Sequence, residues 1–204
     1  SATCSVFGDS SAGILMQKGK LTVEQTQFDL QGNVINGIYS LIDNDTDFQV
    51  LNSSFTLNGN NAVGIYSEYG KVNISADTSA LLSIEGDNSY GIHVKNGGSV
   101  ASTNYSYSLS GTESIGILAE SDATGINVTN GSMNIVGSNT FGIKSSIVGD
   151  GKFTVKNLPI TMTGGDTQTG IFAENGSVQV SADNPAEISK SGTTGRGIQV
   201  ENGG

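Results

Sequence analysis

The chain has 204 residues, enough to bury a substantial core, and contains 29 glycines, 2 prolines and no tryptophan. Such a composition is poor in helix formers and rich in turn formers, so it points to many short strands and away from a helical bundle. With 9 Lys and Arg against 19 Asp and Glu, the formal charge of −10 repels phosphate backbones and anionic lipid, and nucleic acid is not an expected partner.

In chain order, the first predicted strand is Thr3-Cys4-Ser5-Val6, whose alternate residues Cys4 and Val6 would face inward. Cys4 is the single cysteine and cannot form an internal disulfide. Seven residues after Val6 comes Gly13-Ile14. The pair recurs at Gly37-Ile38, Gly64-Ile65, Gly91-Ile92, Gly116-Ile117, Gly142-Ile143, Gly170-Ile171 and Gly197-Ile198. Successive glycines are 24, 27, 27, 25, 26, 28 and 27 residues apart. A period this regular is the mark of a repeat architecture.

Each interval holds two further segments that alternate apolar and polar residues. The first interval has Leu21-Thr22-Val23 and Phe28-Asp29-Leu30; the second has Phe48-Gln49-Val50 and Phe55-Thr56-Leu57. Then follow Val72-Asn73-Ile74 with Leu82-Ser83-Ile84, Val100-Ala101-Ser102 with Tyr107-Ser108-Leu109, and Ile126-Asn127-Val128 with Met133-Asn134-Ile135. The last two intervals have Phe153-Thr154-Val155 with Ile160-Thr161-Met162, and Val178-Gln179-Val180 with Ala186-Glu187-Ile188. Three strands per repeat are predicted. From the third strand to the next anchor glycine the step is 7 residues five times running, Leu30 to Gly37 through Ile135 to Gly142, and longer at Met162 to Gly170 and Ile188 to Gly197. That connection is read as a rigid corner.

A unit of this size cannot cover its own apolar side, so it must stack on copies of itself. The expected fold is all-β: a right-handed parallel β-helix of about eight turns of 24–28 residues, with three strands per turn. Each anchor glycine would either hold a conformation closed to side chains or let the corner approach a neighbour closely. Because the chain starts and stops inside repeats, residues 1–204 are expected to be one β-helix segment cut from a longer solenoid.

Candidate functional residues lie on the outside. The residue after each anchor isoleucine forms a predicted outward file, Leu15, Tyr39, Tyr66, His93, Leu118, Lys144, Phe172 and Gln199, which is apolar and aromatic where water is expected. Such a stripe is a candidate binding surface; equally, its members can stack between turns and stabilise the rod. His93 is a member of this file with no nucleophile or acid placed beside it, so no catalytic role is assigned to it. Two residues further on, Glu68, Lys95 and Glu120 are expected to pair across turns, and Glu174 and Glu201 to sit as neighbouring carboxylates on a solvated surface. The run Asp43-Asn44-Asp45-Thr46-Asp47 could wrap a hard cation through Asp43, Asp45 and Asp47, but Phe48 and Ser54 stand where an EF-hand has its glycine and its glutamate. No cofactor motif is found. The several Asn-x-Ser/Thr triplets follow from composition, and the outward file of the second strand is too irregular for an ice-binding face.

With Gly-Asn-Asn-Ala-Val-Gly-Ile-Tyr-Ser at 59–67 and Gly-Asp-Asn-Ser-Tyr-Gly-Ile-His-Val at 86–94, the chain resembles the passenger repeats of large bacterial autotransporters, most of all fusobacterial surface adhesins. The resemblance implies a type V secretion product held at the outer membrane, displayed on the bacterial surface, and attaching to a protein or glycan of host cells or other bacteria. On that footing the segment is expected to be non-catalytic, an adhesive rod without direct membrane insertion, whose contact surface is the outward stripe or the loops at 39–47 and 144–152. The alternative is a polysaccharide-degrading β-helix enzyme, a lyase or glycoside hydrolase, which would need charged residues clustered in a cleft.

Overall fold

The computed structural model describes residues 2–41, 47–120, 122–147, 152–175, 177–183 and 186–202. Among them the regular structure is entirely β-strand, and every ladder is parallel. The fold is a parallel β-helix. Its first sheet is built from the eight Gly-Ile strands: Ala12–Met16, Asn36–Ser40, Val63–Ser67, Tyr90–Val94, Ile115–Ala119, Phe141–Ser145, Gln168–Ala173 and Gly195–Val200. Eight such strands enclose seven repeats, so the coil has about seven turns where eight were expected.

The register places the eight isoleucines opposite one another in a single file. From Ile38 to Ile171 each is fully buried, a gain of about 1.5 to 3 kcal/mol per side chain. Ile198, with a paired neighbour on one side only, is 44% exposed.

The second sheet corrects the count of strands per turn. In three consecutive turns the predicted second and third strands are one continuous strand: Lys71–Ile84, Ser99–Leu109 and Gly125–Ile135. Elsewhere they are separate, as in Leu21–Glu24 and Thr26–Gln31. Whether the strands are fused or separate, most turns carry a single left-handed residue at the bend. Gln25, Asn52, Asn104, Asn130 and Asn157 have φ between 49° and 57°, so one left-handed residue turns the chain while the ladder continues on both sides. Asparagine tolerates this conformation, and its amide bonds along the axis: Asn157 Nδ2 donates to Asn130 Oδ1 at 2.9 Å and to Asp183 Oδ2 at 3.1 Å.

One predicted register also shifts. Ile160 pairs with Ile188 and Met162 with Lys190, so the last third strand is Ile188–Lys190 and not Ala186-Glu187-Ile188. Counted from Lys190, the step to Gly197 is the same 7 residues that recur earlier. The corner, more than hydrophobicity, set the alignment there.

The anchor glycines are required by close approach. A Cβ on Gly37 would stand 2.6 Å from the carbonyl oxygen of Gly64, and the same clash repeats at 2.6 Å for Gly64 against Gly91, 2.5 Å for Gly91 against Gly116, and 2.6 Å for Gly116 against Gly142. None of these glycines has positive φ, so the conformational alternative does not apply. Positive φ instead falls three residues earlier, at Ser10, Val34, Asn61, Asn88, Glu113, Asn139 and Thr167. A second glycine file, Gly32, Gly59, Gly86, Gly111 and Gly137, presses backbone on backbone at the start of the same corner. Buried hydroxyls satisfy its carbonyls: Ser89 Oγ donates to Gly59 O at 3.0 Å, Ser114 Oγ to Gly86 O at 2.9 Å and Thr140 Oγ1 to Gly111 O at 3.2 Å. The seven-residue spacing holds over five consecutive corners, in which both glycine files press on the backbone of a neighbouring turn.

Candidate functional site

The outer face of the Gly-Ile sheet carries the predicted stripe. Pairing runs Leu15 to Tyr39, Tyr66, His93, Leu118, Lys144, Phe172 and Gln199 without a break. A flat parallel ladder forces equivalent side chains into stacking distance. Tyr39 and Tyr66 stack with ring centroids 4.8 Å apart and 12° between planes, and the His93 ring meets Tyr66 edge-on at 5.2 Å.

Sequence reasoning missed a second outward file one side over, the residue before each anchor glycine: Ala12, Asn36, Val63, Tyr90, Ile115, Phe141, Thr169 and Arg196. Its signal was present, since it is apolar in four consecutive turns from Val63 to Phe141. The two files close on each other. Tyr90 lies 5.3 Å from His93, Phe141 meets Phe172 at 5.6 Å, and Lys144 Nζ sits 5.1 Å from the centroid of Phe141 and 6.0 Å from that of Phe172. Stacking between turns is thus present along the stripe, and its exposure differs from stretch to stretch. Its centre packs shut, with His93 7% and Leu118 6% exposed, while Tyr39, Tyr66, Lys144 and Phe172 are half-buried and Leu15 is 57% exposed.

Charge is gathered on one flank. Glu120 Oε1 receives both Lys95 Nζ at 2.6 Å and His93 Nε2 at 3.0 Å. Burial opposes the Glu120 charge, but the hydrogen bonds from Lys95 and His93 prevail and hold its carboxyl below the usual range. Burial pushes the His93 imidazole down, against the pull of Glu120. Its ring is wedged among aromatic neighbours with one nitrogen committed to a carboxylate, an arrangement that anchors the histidine and does not free it as a base. The Tyr66 hydroxyl is pushed up to about 12, first by burial and then by the charges of Glu68, Tyr39, Glu120 and Tyr69.

The expected alternation of Glu68, Lys95 and Glu120 forms only in its second half. Lys95 turns to Glu120, and Glu68 Oε1 instead accepts from Asn96 Nδ2 at 3.2 Å. One ammonium cannot serve both carboxylates at 2.6 Å when they stand on opposite sides of its own strand. Glu174 and Glu201 follow paired strands, and Gln199 Nε2 donates to Glu201 Oε1. Of the acidic run, Asp43 and Asp45 lie outside the described residues; Asp47 opens the strand Asp47–Leu51 and pairs with Lys71 through its backbone. Residues 42–46 and 148–151 of the two candidate loops are likewise outside the described residues. Among the described residues no three His, Cys, Asp or Glu side chains converge as a metal site.

The fold defines a class, a parallel β-helix, here with an aromatic and charged stripe on its outer face. No family model, curated protein or solved structure matches the chain.

Proposed function

We propose that this chain is a non-catalytic rod segment of a bacterial cell-surface adhesin, an autotransporter passenger that attaches to a surface protein or glycan of host cells or other bacteria. One observation carries the reading. The outward file of the Gly-Ile sheet is apolar, aromatic and cationic in register over turn after turn, whereas the outward file of the second sheet, Thr22, Gln49, Asn73, Ala101, Asn127, Thr154 and Gln179, is almost wholly polar. A rod with one solvated side and one sticky side is suited to lateral contact. The resemblance of the repeats to autotransporter passengers supports the setting, and the engagement of His93 and Glu120 with each other and with Lys95 supports a structural use of the titratable groups.

The test is to immobilise the chain and expose it to bacterial and host surface preparations and to polysaccharides, recording binding and reducing-end release in parallel. Binding without turnover, weakened by Tyr39→Ser combined with Phe172→Ser, is the expected result. Release of reducing ends, or binding indifferent to those substitutions, overturns the reading.

A further inference from the structure

We propose that the first two Gly-Ile strands hold an open groove that receives an aromatic side chain of a partner protein. The proposal rests on the adhesive reading above and names the stretch of the face that makes contact and the chemistry it takes up.

The groove runs between the two outward files. In the fourth and sixth strands of the sheet the chain closes it with its own rings, Tyr90 lying 5.3 Å from His93 and Phe141 5.6 Å from Phe172. In the first two strands the same file holds Ala12 and Asn36, side chains much shorter than a ring. A concavity of about 630 Å³ is left there, with Leu15, Val34 and Tyr39 as its apolar lining. Leu15 is 57% and Val34 53% exposed, against 7% for His93 beside Tyr90. Val34 is not exposed for want of a neighbouring turn, because its segment is bonded on both sides: Ser10 N donates to Asn33 O, and Val34 N to Asn60 O. Its φ of 56° strains a β-branched residue, and strain of this kind collects at binding sites.

What fills the groove elsewhere indicates the occupant. Where the two files meet, the filler is a neutral ring packed against another ring. Among the described residues that line the open stretch none is charged, so a charged group entering it would give up hydration without a partner. Tyr39, already stacked on Tyr66 at 4.8 Å, lines the concavity, and a ring packed on a ring gains more than its buried area alone. An aromatic side chain is also stiff and loses little rotamer freedom on docking. The hydroxyls of Ser10 and Ser11 and the amide of Asn36, in the same lining, can bond the phenol of a tyrosine.

The experiment titrates the whole chain with end-blocked Gly-Tyr-Gly and Gly-Leu-Gly peptides, following the methyl signals of Leu15 and Val34 by NMR. The tyrosyl peptide is expected to shift both sets of methyls upfield, as a ring placed over them does, and to bind about fivefold tighter than the leucyl peptide. Ala12→Phe, which gives the first strand a ring of its own as Phe141 gives the sixth, should abolish that binding. Val34→Asn should weaken it about fivefold with the fold intact. Leu81→Asn, 46% exposed on the second sheet, should leave it unchanged. Equal binding of the two peptides, no upfield shift, or binding that persists in Ala12→Phe overturns the proposal. Self-association of the chain that Ala12→Phe removes would give the groove to a second copy and overturns it too. Adhesion in the preceding test separates the two readings. If it survives Ala12→Phe but falls with Tyr39→Ser and Phe172→Ser, only the groove proposal fails; if the chain adheres to nothing, the adhesive reading itself fails.

Discussion

The hydroxyl of Tyr105 donates to the backbone carbonyl of Ser53, 52 residues earlier and two turns away along the axis. It can do so because the turn between them is irregular: Tyr105 pairs with Ala80 while Thr103 pairs with Ser75, so the ladder skips residues 76–79, of which 77–79 are exposed, and a small side chain stands in the ladder. The phenol fills the space and staples three turns. Both Tyr105 and Ser53 are buried, so Tyr105→Phe leaves an acceptor without its donor and is expected to cost about 1 to 3 kcal/mol in denaturant unfolding. Tyr39→Phe, on the half-buried outer face, should cost far less; equal losses would show that the staple contributes nothing.

The corner argument concerns Gly116. Any Cβ there would lie 2.6 Å from Gly142 O, against backbone that the whole ladder holds in place. Gly116→Val should lower the melting temperature well below that of Thr154→Val, which only exchanges a hydroxyl for a methyl on the outward side of a strand. Comparable melting temperatures for the two variants would refute the close-approach explanation of the repeat.

Val34 stands at φ 56° in a position that other turns give to Asn61, Asn88 and Asn139. A β-branched residue is strained in that conformation, and Val34 is 53% exposed, so little burial offsets the strain. Val34→Asn is expected to raise stability by about 1 kcal/mol, read from the urea midpoint. A lower midpoint would mean that the exposed valine contributes packing that its exposure conceals.

The pH dependence follows from His93. Its folded pKa lies below the unfolded value of 6.5, so on acidification the unfolded chain takes up the proton first. The stabilising contribution is complete above 6.5 and is lost as pH falls towards the folded pKa; Glu120, also depressed, adds a further loss below its unfolded value of 4.5. Stability should therefore decline as pH falls below about 6.5 in the native chain and do so much less in His93→Gln. The same decline in both proteins would place the effect elsewhere.

The period of Gly-Ile pairs and the alternation between them determined, without any coordinates, that the chain coils, that its isoleucines share a file, and that Leu15 to Phe172 line up on the outside. Those features repeat at fixed intervals, and a repeat can bury its apolar side only by stacking in register. What the tertiary structure alone decided are the contacts between turns. Whether a second and third strand fuse is decided turn by turn, the left-handed bend residue standing in fused and separate turns alike; whether Lys95 serves Glu68 or Glu120 depends on which way a single ammonium turns; and His93 is shut away with Tyr90 of the neighbouring file packed against it. Each is a competition settled by side-chain geometry in three dimensions, where one partner excludes another, and spacing along a chain carries no record of the outcome.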